Sequence, residues 1–309
     1  LAELGARVIK IEQPGVGDYY RAGGEKTLIG GRQVHALNQG KESLGLDLKT
    51  DEGREIFKKL VRKSDVVLES FRPGTLQRLK IAYPALKKIN PRIILCSITG
   101  GGQKGKGAML AGHDLNYLGS SGLLLKIKDS EGRPVSPGFQ IVDLATGQEA
   151  AMRIVAALYQ NQKNKKTNKK GEWIDCSMAG SALSLARLYP PREKTFSKIR
   201  YAIYRTSDGG FMTFAPLEAK FWDRFCQITG RSDWSENSLR ELFLSKSKEE
   251  WTSLGEKEDI CLFPVEELSP EFFEGKNFAD LGYHTGSILK TLGYRPDRIK
   301  ELKKKGVVA

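Results

Sequence analysis

Long apolar runs, paired cysteines and the short nucleotide and hydrolase signatures are all missing from this chain of 309 residues. No stretch approaches the roughly 18 consecutive apolar residues that a membrane-spanning helix needs, so no membrane partner is expected. The four cysteines, Cys96, Cys176, Cys226 and Cys261, are scattered with no CxxC and no ligand-like spacing. That pattern excludes a disulfide scaffold and gives no metal site, and it reads as reduced, buried thiols of an intracellular protein. GxxxxGK[ST], HExxH and GxSxG do not occur, which removes support for nucleotide triphosphate, zinc-protease and serine-hydrolase chemistry. GxGxxG occurs once, at Gly100, Gly102 and Gly105, but the KGKGAMLAGHD behind it is too glycine-rich to open the helix a dinucleotide site requires. The chain opens on Leu1 without Met, so any organellar leader is left unread and a cytoplasmic setting is the expectation.

Positive charge is plentiful. Lys and Arg number 50 against 37 Asp and Glu, a net +13, and hydrophobic residues make up 39% of the chain. The composition is that of a globular protein with anionic partners, but the excess charge is local. Five of the charges are Lys163, Lys165, Lys166, Lys169 and Lys170, and residues 295–309 carry a further net +4. These segments are read as solvated. No aromatic side chains interleave them on a recognisable module, so nucleic acid is not expected as a partner.

Strand and helix signals alternate through the first 180 residues: VIKIE, the amphipathic DEGREIFKKLVRKS, VVLES, LQRLKIAYPALKKIN and RIILCSI. This order predicts an α/β fold with an open parallel, Rossmann-like sheet. Ligands meet such sheets at the loops that follow the strands, here Arg72-Pro73-Gly74 and Gly100-Gly101-Gly102. A long helix is expected over Gly147–Gln160. A polar, Pro-containing stretch at Tyr189–Lys194 reads as a linker, beyond which YAIYRTSDGGFMTFAP predicts a hairpin turning at Asp208-Gly209-Gly210. Three segments follow: a large α/β domain over 1–188, a smaller α/β domain over 189–284, and C-terminal helices over 285–309 returning to the large domain.

Chemistry concentrates in three places. AGHDLNYLGSSG holds His113, one of only three histidines, between glycines that let backbone approach a ligand. A single His of this kind is either structural or an acid/base. Asp143, in GFQIVDLATG, is expected to end a short apolar strand just before the long helix. There it either complements the helix dipole or acts as base or nucleophile beside helix N–H groups that hold an oxyanion. Glu218, in APLEAKFW, reads as a helix cap or as a functional carboxylate.

Together LGARVIKIEQPGVGD, LNQGKESLGLDLKTDEGREIFKKLVRKSDVVLESFRPG, NPRIILCSITGGGQ, AGHDLNY, the Asp143 segment, GEWIDCSM, YRTSDGGFMTFAPLEAKFW and LGYHTGSILKTLGY resemble the family III CoA-transferase superfamily, and its alpha-methylacyl-CoA racemase branch most. The resemblance implies that His113 and Asp143 are the paired acid/base residues and that Glu218 partners the His. It places Lys41, Arg72, Asp114 and Tyr117 in segments that contact CoA. It further implies an interlocked homodimer, in which the small domain of one copy covers the active site of the other, and no cofactor beyond the CoA of an acyl-CoA substrate. The expected reaction is epimerisation of 2-methylacyl-CoA thioesters by 1,1-proton transfer through an enolate held by N–H groups at the Asp143 helix start. The alternative is transfer of CoA between carboxylic acids through an aspartyl-CoA thioester. The family usually has two basic residues where this chain has Lys41-Glu42, a strand before LAELGA, and longer connections at Arg192–Arg200 and between Cys261 and Leu281.

Overall fold

A computed structural model describes residues 1–18, 21, 37–129, 131–163, 170–187, 199–269 and 278–309. The linker expected at 189–194, most of the Lys-rich tract (164–169) and parts of both short connections (192–198, 270–277) lie outside the described residues. The chain divides into two compact units, residues 1–189 with 273–309, and residues 190–272. The second unit thus ends before the boundary expected at 284. The reason is that 282–284 bind Ser43 of the first unit: Gly282 N donates to Ser43 Oγ at 2.9 Å, and Ser43 N donates to His284 Nδ1 at 3.0 Å.

The first unit carries two parallel sheets. β1 (Val8–Glu12) pairs with β2 (Lys41–Gly45), and β3 (Val66–Glu69), β4 (Ile94–Thr99) and β5 (Trp173–Ser177) pair in that order. β4 is central and nearly wholly buried, and its mostly apolar sequence, with only Ser97 and Thr99 polar, suits a parallel strand covered on both faces. Helix Asp51–Arg62 connects the two sheets. Thr50 Oγ1 caps it by accepting from Gly53 N at 3.0 Å, with Asp51 and Glu52 in its first turn and Lys59 and Arg62 in its last. Its face of Ile56, Phe57, Leu60 and Val61 joins Leu44, Leu46, Leu86 and Leu95 in one core. The expected helix over 76–90 is broken in two, Thr75–Arg78 and Tyr83–Ile89, with Pro84 in the first turn of the second, where its missing N–H costs nothing.

Helices Thr285–Thr291 and Pro296–Lys304 close this core with Ile288, Leu289, Ile299 and Leu302. The final residues run beside β2: Asp47 N donates to Val307 O at 2.8 Å, and Ala309 N donates to Gly45 O at 3.3 Å. On the other side of β4 and β5, Ile94, Cys96, Ile174 and Cys176 pack on Ala150, Ile154 and Ala157 of the long helix Ile141–Lys163. All four cysteines are free, Cys96 and Cys176 being buried and Cys226 and Cys261 half-buried.

In the second unit β6 (Ala202–Arg205), β7 (Phe211–Phe214) and β8 (Leu262–Pro264) form an antiparallel sheet with β7 in the middle. The hairpin turns where expected, Gly209 taking φ +84°. Helices Ala219–Thr229, Glu236–Phe243 and Lys248–Glu258 cover one face with an aromatic core in which Tyr204 stacks on Phe243 at 4.4 Å. Among the described residues no helix is long and apolar enough to cross a membrane.

Candidate active site

The carboxyl ends of β3, β4 and β5 carry the site. Register places Glu69, Ser97 and Asp175 in one row across the three strands, on the face opposite Cys96 and Cys176. Trp173 Nε1 donates to the buried Ser97 Oγ at 2.9 Å, and the Ser97 hydroxyl in turn hydrogen-bonds the Glu69 carboxylate. Phe71 N donates to Glu69 Oε2 at 2.8 Å, fixing the turn that leads to Arg72. Burial pushes the Glu69 carboxyl up, with the Asp175 charge adding to it against the hydrogen bonds from Ser97 and Phe71. Arg72 is exposed and lines an open cleft with Glu69, Gln77, Tyr83, Gln103 and Trp173.

The glycine-rich loop after β4 leads into helix Asp114–Ser120, with His113 as its extended, exposed N-terminal boundary residue. His113 N donates to Asn116 Oδ1 at 3.0 Å, which ties the start of the helix to its first turn. Tyr117, one turn on, lays its ring against the loop: a Cβ on Gly100 would overlap its hydroxyl, and one on Gly112 would lie 2.9 Å away. Both glycines are therefore needed for the close approach.

Asp143 does not end a strand. Residues 141–143 are the first turn of the helix Ile141–Lys163, because the short apolar Ile-Val pair packs inward from a helix, with Val142 fully buried. Asp114 brings this about. It is only 6% exposed, and its Oδ1 accepts from Val142 N at 2.5 Å and from Asp143 N at 3.0 Å. Asp114, in a segment expected to contact CoA, is turned inward as a helix cap, and of the N–H groups at the helix start, expected to hold an enolate oxygen, those of Val142 and Asp143 donate to it.

Asp143 itself has its carboxyl pushed up from the usual range, first by desolvation and then by the Asp114 charge, while His113 pulls it down. Burial also raises the Tyr117 hydroxyl, with Asp143 raising it further and Arg72 lowering it. His113, Asp114, Tyr117, Asp143 and Arg72 thus form one electrostatic neighbourhood. Lys41 belongs to a different cluster. Its Nζ and that of Lys10 converge on Asn38 Oδ1, at 2.9 and 3.3 Å, while Lys10 also pairs with Asp18, and burial followed by the Lys10 charge lowers the Lys41 ammonium. Beside it Glu42, which stands where a second basic residue is usual, is held in a bidentate pair by Arg7 at 2.7 and 3.0 Å. Glu218 lies in the second unit, exposed at the N-terminal boundary of helix Ala219–Thr229 and making no side-chain cap.

Sequence reasoning singled out neither the capping role of Asp114 nor Asp175, whose Oδ2 accepts from Gln103 N at 2.9 Å. The signal for Asp175 is its place in WIDCS, two residues after Trp173 and on the same strand face.

A family model described as CoA-transferase family III matches residues 1–286. The chain is 32% identical over 292 residues to the human alpha-methylacyl-CoA racemase, covering 86% of this chain and 72% of that protein. It is 30% identical over 306 residues to the human succinyl-CoA:glutarate CoA-transferase, covering 89% and 68%. A CAIB/BAIF family protein from Brucella suis shares the fold, with a TM-score of 0.75 at 24% identity over 94% of this chain and 92% of that one.

Proposed function

Because the chain belongs to CoA-transferase family III, we propose that it is an acyl-CoA racemase that epimerises the α-carbon of 2-methylacyl-CoA thioesters. The observation that carries this reading is the pairing of two titratable groups at the N-terminal ends of two helices held together by Asp114, His113 before one and Asp143 in the first turn of the other, with the imidazole lowering the carboxyl. A carboxyl raised above its usual range is better matched to proton transfer near neutral pH.

In one direction the Asp143 carboxylate takes the α-proton, its C–H pair moving into the enolate, and protonated His113 delivers a proton to the opposite face. The reverse direction exchanges the roles, and solvent exchange restores the starting protonation states. Positioned groups of this kind contribute roughly 10² to 10⁴-fold. Arg72, with Tyr117 beside it, and Lys41 from its separate cluster supply contacts for the CoA, and Glu218 of a second copy orients the imidazole. No group beyond the CoA of the substrate takes part.

The proposal includes a homodimer. Leu144, Met152, Val155 and Tyr159 form an exposed apolar stripe on helix Ile141–Lys163, a surface that a second copy would bury. A cytoplasmic setting suits the four free thiols.

CoA transfer is the second reading, favoured by the place of Asp143 in the first turn of the helix Ile141–Lys163 and by the 30% identical human transferase. Here the carboxylate attacks the thioester carbonyl and expels CoA thiolate, giving a mixed anhydride. The thiolate then attacks the aspartyl carbonyl, releasing the free acid and leaving an aspartyl-CoA thioester. Deuterium incorporation at the α-carbon in D₂O without an acyl acceptor supports racemisation. Hydroxylamine trapping at Asp143 without such exchange supports transfer and overturns the first reading.

A further inference from the structure

We propose that Asp175 is a positioning residue for His113, acting through the glycine-rich loop and Tyr117. The inference rests on the reading of His113 as an acid/base group, and it assigns a role to a carboxylate that the mechanism above does not use.

Asp175 sits on β5, one strand away from the loop it holds. The loop leaves β4, and its Gln103 N–H donates across the strand gap to Asp175 Oδ2 at 2.9 Å. Gly102, at φ +88°, turns its bare Cα toward the same carboxylate, since a Cβ there would lie 3.5 Å from Oδ2. The loop is pinned a second time by Ala179 N, which donates to Gly100 O at 3.0 Å from the start of helix Met178–Ala186. Between these pins Gly100 presents the recess into which the Tyr117 hydroxyl fits, and Gly112 closes that recess from the residue before His113.

The path is continuous: a hydrogen bond joins Asp175 to Gln103, the loop backbone runs from Gln103 back to Gly100, Tyr117 packs closely on Gly100 and Gly112, and Gly112 precedes His113 in the chain, so a shift of the loop moves the Tyr117 ring and with it the helix boundary at which His113 stands. A charge-assisted hydrogen bond to a loop N–H is stronger than a neutral one, which suits a carboxylate to this task. Asp175 is itself fixed by the strand ladder, in register with Ser97. The rigid sheet is therefore the reference from which an exposed imidazole is placed.

The test compares Asp175→Ala with Asp175→Asn, whose amide oxygen can still accept from Gln103 N–H. Steady-state α-proton exchange and an NMR titration of the histidine ring protons are measured on the full chain. Asp175→Ala is expected to lower kcat roughly 10- to 100-fold, the cost of misplacing a reacting group by about 1 Å, with KM for the acyl-CoA within about twofold. Asp175→Asn is expected to recover most of kcat. The His113 resonance should move in the Ala variant and return in the Asn variant, while that of His284 stays fixed.

Unchanged kcat and an unmoved His113 resonance overturn the proposal. A rise in KM at constant kcat also overturns it, by making Asp175 a substrate contact. Equal loss in both variants with a matching fall in Tm makes the residue merely structural, which is a third refutation. If the unmodified protein shows neither exchange nor transfer, the acid/base reading fails, and the His113 resonance still decides whether Asp175 positions that ring.

Discussion

Asp114 holds the helix that presents Asp143: a single oxygen of its buried carboxylate accepts the N–H of Asp143 at 3.0 Å and that of Val142 at 2.5 Å. The same group that fixes the helix start also places a negative charge beside the Asp143 carboxyl and raises it. Structure and acidity are thereby coupled through one side chain.

Removing that cap should be felt in stability. Asp114→Ala is expected to cost about 1–2 kcal/mol by urea denaturation, the range for losing a helix cap, with Asp114→Asn costing less because its amide oxygen still accepts. In the Ala variant the Asp143 carboxyl should titrate lower than in the unmodified protein, read by NMR, since a repelling charge has gone.

The raised Asp143 carboxyl makes a signed prediction about pH. The native state holds this proton more tightly than the unfolded chain, so its contribution is complete below the ordinary Asp range near pH 4 and is lost as pH rises through the higher native value. Asp143→Asn should therefore raise Tm at pH 7 and leave it nearly unchanged at pH 3. Thermal scans at the two values check this, and equal shifts at both would contradict it.

Glycine is required at Gly100 and dispensable at Gly107. A Cβ at Gly100 would overlap the Tyr117 hydroxyl, so Gly100→Ala should destabilise by about 1–3 kcal/mol, as overpacking does, and should lower kcat. At Gly107 the nearest atom to a Cβ is 3.8 Å away, and Gly107→Ala should fall within about 0.5 kcal/mol of the unmodified protein. Chemical denaturation of the pair separates backbone freedom from close packing.

The Arg7–Glu42 pair has good geometry and little shelter, with side chains 60% and 26% exposed. A double-mutant cycle should give a coupling of about 0.2–1 kcal/mol, shrinking in 1 M salt, because solvent and ions screen a pair at the surface.

What the sequence made legible follows from the range of the physics involved. The buried run RIILCSI announces a central parallel strand. The acids and bases at the two ends of DEGREIFKKLVR mark a helix, and Asp208-Gly209-Gly210 marks a hairpin, all through local chemistry. β2 escaped because KESLG is short and polar at its start, and its burial comes from residues 282–309, far away in sequence. The first turn of the Asp143 helix reads locally as a strand end because its cap is Asp114, 29 residues upstream, which no local capping signal reveals. The acid/base candidates were visible through the AGHDLNY motif and its resemblance. The loop-holding Asp175 was not, because its partner Gln103 lies 72 residues away on a neighbouring strand end.

The strand alignment of β2 with the chain's last residues has a consequence for the order of assembly. Gly45 N donates to Thr285 Oγ1 across a separation of 240 residues, and the intervening chain includes the whole of the second unit. Closing so large a loop carries an entropic cost that must be met before the contact stabilises anything, so such pairings form late. During synthesis the inner unit, whose aromatic core is contiguous in sequence, can condense while the apolar edge at Leu44 and Leu46 is still uncovered. That edge is the segment of the nascent chain most in need of protection until residues 285–309 arrive.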